Sequence, residues 1–108
     1  MIKLFDLKKQ FKLFDKEVNK KVLNILSSGN YILGENVSKL ERDTKEYLQS
    51  NYTLSCNSGT DALILSLRAL EIGDGDEVIT SPFTYFATAE AISLVNAKPI
   101  FCDINPNT

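Results

Sequence analysis

Hydrophobic residues first recur along the chain at steps of three and four: Phe11, Phe14, Val18, Val22 and Ile25, with Lys12, Lys16, Lys20 and Lys21 falling largely between them. That period predicts an amphipathic helix, stopped near Ser27, Ser28 and Gly29. After "NYILG" a second helical period runs from about Asn36 to Ser50 and places Val37, Leu40, Thr44 and Tyr47 on an inner face. From residue 53 the pattern changes. "YTLSC" reads as a short strand, residues 59–71 as a helix, "DEVITS" as a strand, residues 84–95 as a helix and "KPIFCDI" as a strand. Helix-length connections between successive strands favour parallel pairing, hence an α/β sheet covered by helices on both faces. The helix over 59–71 carries Ala62, Leu63, Ile64, Leu65, Leu67, Ala69 and Leu70, which predicts deep burial. "EIGDGDE" is its stop, with Gly73 near the C-terminal cap. The organisation expected is a helical segment over residues 1–52 and the start of an α/β domain over 53–108. Three parallel strands alone would leave an open edge and uncovered faces. The chain therefore reads as the opening part of a longer protein.

Composition narrows the chemistry more than the fold. The formal net charge of -2 hides an asymmetry, because residues 1–21 carry seven Lys against Asp6, Asp15 and Glu17. Without an Arg cluster or interleaved aromatic residues, this is a solvated helix face and not a nucleic-acid surface. The chain contains no His, so a zinc site with His ligands, a Ser-His-Asp triad or a Cys-His pair cannot be built from it. Cys56 and Cys102 lie far apart with no CxxC spacing, and are expected to be small buried hydrophobes in a reduced chain. No signal-peptide core and no membrane-length apolar run is present, which predicts a cytoplasmic protein without a membrane partner.

The candidate chemistry sits where strands are expected to give way to helices. "SCNSGTDAL" puts Ser58, Gly59 and Thr60 in a turn at the carboxyl end of a parallel sheet, where ligands collect in α/β folds. The first turn of a helix has unpaired N–H groups and a positive dipole end, so it can hold a phosphate without Lys or Arg. Gly59 would allow close approach, and the Ser58 and Thr60 hydroxyls could donate further hydrogen bonds. Asp61 would repel a phosphate if aimed at it, so it should point elsewhere or pair with a cation. The same residues serve equally well as an ordinary helix cap formed by Ser58 or Asn57. Neither the nucleotide P-loop nor the dinucleotide glycine fingerprint is present, which weakens a simple nucleotide-binding domain. In "TSPFTYFATAEAI", Pro82 breaks the second strand and Phe83, Tyr85 and Phe86 crowd the next turn. Three aromatics there suggest a flat ring held by stacking, set against core packing for at least one of them.

Together "FDLKKQF", "LSSGNYILGENVSKLE", "NSGTDALILSLRALEIGDGDEVITSPFTYFATAEAI" and "AKPIFCDINPNT" resemble the DegT/StrS family of pyridoxal-phosphate-dependent sugar aminotransferases. The resemblance covers nearly the whole chain. It implies the N-terminal part of the large domain of the type I, aspartate aminotransferase-like, fold: a mainly parallel sheet flanked by helices. It implies that Gly59 and Thr60 hold the cofactor phosphate, with Ser58 a lesser participant, and that Tyr85 stacks on the pyridine ring. "NYILGENV" matches a segment near the dimer interface and the active-site mouth, without a contact assigned to Tyr31. The implied reaction is ping-pong transamination from glutamate to a nucleotide-linked keto-sugar, such as a UDP-3-keto-sugar uronate or a dTDP-3-keto-deoxyhexose, in a homodimer. The Schiff-base Lys and the Asp that pairs with the pyridine nitrogen belong to family motifs expected beyond Thr108, and none of the ten Lys residues stands in a matching context. No catalytic residue is therefore assigned, and the chain alone is expected to be inactive. The same resemblance leaves room for a sugar dehydratase, in which His replaces the Lys, and the chain length for a non-catalytic truncated paralogue.

Overall fold

Five helices and two strands account for the regular structure in the computed structural model, which describes residues 4–107. Lys3, one of the seven basic residues near the amino terminus, and Thr108 lie outside the described residues. The chain divides into two compact units, residues 1–54 and 55–108.

The first unit is helical. Asp6 caps α1 (Leu7–Phe11), its Oδ1 accepting from the Lys9 N–H at 3.0 Å. The single helix expected from Phe11 onward is interrupted here, because Phe14 adopts φ -139° and ψ 17° before α2 (Asp15–Ser28) begins. Phe11 and Phe14 instead meet edge to face across the break, with ring centroids 6.4 Å apart. α2 ends as expected at Gly29, whose φ of 71° is the left-handed conformation that glycine adopts without Cβ strain. α3 (Glu35–Leu48) follows, with Gly34 at its N-cap. Its half-buried stripe is Val37, Glu41 and Thr44, whereas Leu40 and Tyr47, expected on the inner face, are exposed. At the junction of α2, the 29–34 loop and α3 lies an open cavity of about 380 Å³, bordered by Asn24, Ser28, Tyr31 and Asn36. Tyr31 there donates its hydroxyl to the Leu26 carbonyl at 3.2 Å.

The second unit holds the sheet. β1 (Glu77–Thr80) pairs in parallel with β2 (Lys98–Phe101), in the register Glu77 to Lys98 through Thr80 to Phe101. The ladder extends at both ends, from Lys98 N–H to the Asp76 carbonyl and from Cys102 N–H to the Thr80 carbonyl, both at 2.9 Å. Residues 98 and 102 thus point their N–H groups at β1, so the nitrogen of Pro99, which has no hydrogen, faces the outer edge, where proline is tolerated. Lys98 also reaches Glu77 across the pair at 2.8 Å. α5 (Ala87–Leu94) is the crossover between the strands and carries the core: Ala91 is 0% and Ile92 3% exposed, with Ala87, Val95 and Ala97 beside them. Ile64, Leu67, Ile72 and Val78 pack against this cluster from α4 (Gly59–Ala69), its exit and β1.

Both helices of this unit end in the same hydrogen-bonded device. After α4 the Glu71 N–H reaches the Arg68 carbonyl and the Ile72 N–H the Leu67 carbonyl; after α5 the Asn96 N–H reaches Ser93 and the Ala97 N–H reaches Ile92. These are Schellman closures. The left-handed residues are Glu71 (φ 59°) and Asn96 (φ 64°), so α4 closes at Leu70 and Glu71, where the expected "EIGDGDE" stop begins, with Glu71 and not Gly73 as the left-handed residue. In each case the apolar residue five positions on, Ile72 or Ala97, returns to the core beside its partner.

Four further expectations are corrected. "YTLSC" forms no strand: no backbone ladder accompanies residues 53–56, and an extended segment becomes a strand only by pairing. α4 is not deeply buried, since only its Ile64 and Leu67 side approaches the core and Leu63, Leu65 and Leu70 remain exposed. The sheet is covered by α5 on the Val78 face, whereas Ile79, on the opposite face, is exposed. Cys56 and Cys102 are free thiols on exposed positions, not buried hydrophobes, because nothing among the described residues is packed over them. No helix among the described residues is long and apolar enough to cross a membrane.

Candidate functional site

The turn into α4 combines a capped end with an open one. Ser58, in extended backbone geometry (φ -154°, ψ 162°), is the N-cap. Its Oγ accepts from the Asp61 N–H at 3.1 Å, and its carbonyl accepts from the Ala62 N–H at 3.1 Å. The Ser58 hydroxyl donates in turn to Asp61 Oδ2 at 2.8 Å. The reciprocal pair is a variant of the capping box, in which the acidic side chain reaches the cap hydroxyl. Asp61 thus points at a hydroxyl, not at a cation. The cap occupies two of the donors of the first turn. The N–H groups of Gly59 and Thr60 find no acceptor among the described residues.

Gly59 adds a second feature. Its φ is not in the left-handed region, and a Cβ built on it would meet no atom within 4 Å. Neither backbone conformation nor packing within the chain therefore calls for glycine at this position. The position a Cβ would take at Gly59 is thus open, and the positive end of the α4 dipole lies at this turn. This is the arrangement that takes a phosphate or another anion. Thr60 is half-buried and Ser58 and Gly59 are exposed.

The second turn, residues 81–86, leaves the carboxyl end of β1 and enters α5. Its backbone is fixed by the Thr88 N–H to the Tyr85 carbonyl at 3.0 Å and by the Phe83 N–H to Ser81 Oγ at 3.2 Å, and its side chains by Thr84 Oγ1 against Thr88 Oγ1 at 3.0 Å. Phe83 is 99% and Tyr85 83% exposed, and Phe86 is exposed as well. The expectation that at least one of the three packs into the core does not hold, because small residues, Ala87 and Ala91, face the core in their place. Ser58, Gly59 and Thr60 stand in one helical turn, and Tyr85 precedes the helix that packs against α4.

Asp61 was weighed by its charge, and its bond to Ser58 was missed. The Ser-x-x-Asp spacing just before an apolar run was the signal that could have found it. On α2 the Glu17 carboxyl is held below its ordinary value by a hydrogen bond and charge attraction from Lys21, 2.8 Å away.

Comparison with known proteins bears on this site. Residues 12–108 match the DegT/DnrJ/EryC1/StrS aminotransferase family. The chain is 44% identical over 108 residues to the UDP-2-acetamido-2-deoxy-3-oxo-D-glucuronate aminotransferase of Pseudomonas aeruginosa; all of this chain is covered, and it spans 30% of that protein. Among solved structures it superposes on a DegT DnrJ EryC1 StrS aminotransferase from Brucella abortus with a TM-score of 0.92 at 36% identity, covering 98% of this chain and 28% of that one. It also matches NtdA from Bacillus subtilis, solved with bound cofactor PMP, with a TM-score of 0.81 at 32% identity, covering 86% of this chain and 21% of that one. Its helices and parallel strands are accordingly part of the α/β fold of these aminotransferases. With nearly its whole length matched, the chain belongs to the DegT/DnrJ/EryC1/StrS aminotransferase family.

Proposed function

We propose that this chain is the phosphate-binding portion of a pyridoxal-phosphate-dependent aminotransferase that transfers an amino group, from glutamate, to a keto carbon of a nucleotide-linked sugar. A UDP-linked 3-keto uronate or a dTDP-linked 3-keto-deoxyhexose is the substrate class, in amino-sugar or polysaccharide biosynthesis in the cytoplasm. The observation that carries the reading is the first turn of α4, where the Gly59 and Thr60 N–H groups stand without acceptors among the described residues and the Cβ position of Gly59 is open. It is supported by a relative that aminates a 3-oxo sugar nucleotide and by a structural neighbour solved with PMP, the amino form of the same cofactor.

The residues present fit the group. Gly59 and Thr60 would hold its phosphate through backbone N–H groups and the Thr60 hydroxyl, and the exposed ring of Tyr85 would stack on its pyridine. When bound, pyridoxal phosphate supplies the electron sink that stabilises negative charge on the amino-bearing carbon. The chain's own part is to bind and orient, by fixed backbone donors on one side and an aromatic face on the other. None of its ten Lys residues is assigned the covalent role, so the 108-residue polypeptide alone has no transaminase activity. The protein that carries it works as a homodimer.

Pyridoxamine phosphate binding tests the reading, because it is non-covalent and isolates these contacts. In the protein carrying this chain, Thr60→Ala weakens binding by about 1.5–3 kcal/mol, roughly ten- to hundred-fold, through one lost hydrogen bond to a charged phosphate oxygen. Tyr85→Ala weakens it by about 1 kcal/mol, and Tyr85→Phe preserves it. Wild-type affinity in both alanine variants, with no change of cofactor absorbance on adding glutamate, would sink the proposal.

A further inference from the structure

Asp61 is the acidic residue in the first turn of α4, and its side chain is turned back on the cap. A serine hydroxyl has one proton. With that proton directed at Asp61 Oδ2, 2.8 Å away, and one lone pair accepting from the Asp61 N–H, what Ser58 Oγ leaves toward solvent is a lone pair. A lone pair repels a phosphate oxygen. The donors that stay open in the turn are then the Gly59 and Thr60 N–H groups and the Thr60 hydroxyl. Asp61 is half-buried, and its carboxylate is held beside this turn by the Ser58 hydroxyl.

We propose that Asp61 is a positioning residue of the anion-binding turn: it withholds the Ser58 proton from the bound phosphate and so directs that phosphate to Gly59 and Thr60. This rests on the phosphate-binding reading above. Ser58 is then a cap and not a ligand. Replacing Asp61 by Asn inverts the arrangement, because the amide N–H₂ can donate to Ser58 Oγ and leave its proton free to turn outward. The same change removes a negative charge from the neighbourhood of the phosphate. The expected consequence is tighter phosphate binding in the variant than in the native protein.

The test compares pyridoxamine phosphate with pyridoxamine, which lacks the phosphate, in the protein carrying this chain. The ratio of the two dissociation constants isolates the phosphate contribution. Ser58→Ala should lower the melting temperature as a lost cap does, yet change the ratio by less than about two-fold. Asp61→Asn should raise the phosphate preference by about three- to ten-fold, and Ser58→Ala in the Asp61→Asn background should remove much of that gain. A purely structural cap would move melting temperatures and leave the ratio alone. The proposal is overturned if Ser58→Ala alone collapses the ratio as Thr60→Ala does, or if Asp61→Asn leaves it unchanged. A ratio untouched by Thr60→Ala overturns the phosphate-binding reading itself, and this proposal with it.

Discussion

Gly59→Ala separates what the fold needs from what the ligand needs. Gly59 is the first residue of α4, its φ lies outside the left-handed region, and a Cβ placed on it would meet nothing within 4 Å. The native chain therefore tolerates alanine there without strain. Alanine restricts the unfolded chain more than glycine, and at a compatible position this stabilises by about 0.4–1 kcal/mol. The first helical position realises the lower part of that range. At about 0.5 kcal/mol, the melting temperature of a chain of this size rises by about 2–4 °C. The methyl group, tilted toward the amino-terminal end of the helix as a helical Cβ is, would however crowd a phosphate held on the Gly59 and Thr60 N–H groups. Loss of one hydrogen bond to a charged phosphate oxygen costs about 1.5–3 kcal/mol, roughly a ten- to hundred-fold weaker affinity. Thermal melting of the 108-residue chain and titration of the carrying protein with pyridoxamine phosphate read the two effects separately. A variant that melts lower, or one that binds pyridoxamine phosphate as tightly as the native protein, refutes the reasoning.

The core and the surface give two simpler expectations. Ile92 is the largest side chain at the centre of the second unit, packed with Val95 and Ala97 and flanked by Ile64, Leu67 and Val78, so Ile92→Ala should cost about 2–5 kcal/mol. Urea denaturation checks this, and a midpoint unchanged from wild type would place the core elsewhere. On α2, Lys21 holds the Glu17 carboxyl below its ordinary pKa. The stability it contributes is present above the unfolded-state pKa and is lost as pH falls through the folded one. An NMR pH titration should show Glu17 returning to its ordinary range in Lys21→Gln and in high salt, since both partners are exposed.

Much of the second unit was legible residue by residue. The patterns of "DEVITS", residues 84–95 and "KPIFCDI" marked β1, α5 and β2, and Ser-Gly-Thr-Asp before an apolar run marked the α4 start. Pattern alone left cap and anion turn undecided; the geometry shows the cap, closed by Ser58 and Asp61, and leaves the Gly59 and Thr60 N–H groups without acceptors among the described residues, as the proposed anion turn needs. The misreadings concern what lies outside local sequence. Leu63 and Leu65 of α4, Cys56 and Cys102 are residues suited to burial, but burial depends on a covering layer that periodicity does not specify. "YTLSC" has strand composition, yet a strand is defined by its partner. The α4 stop falls at the start of "EIGDGDE", but its left-handed residue is Glu71 and not the glycine that usually takes this conformation. Leu67 and Ile72, an apolar pair five apart, are the better signal for a closure that puts Glu71 in that conformation. The break at Phe14 has no comparable mark in the sequence.

The most direct measurement is a crystal structure of the protein carrying this chain with pyridoxamine phosphate bound. The account predicts phosphate oxygens about 2.7–3.2 Å from the Gly59 and Thr60 nitrogens, the Tyr85 ring against the pyridine, and the Ser58 hydroxyl still on Asp61. A phosphate bound away from the first turn of α4 would contradict the central claim.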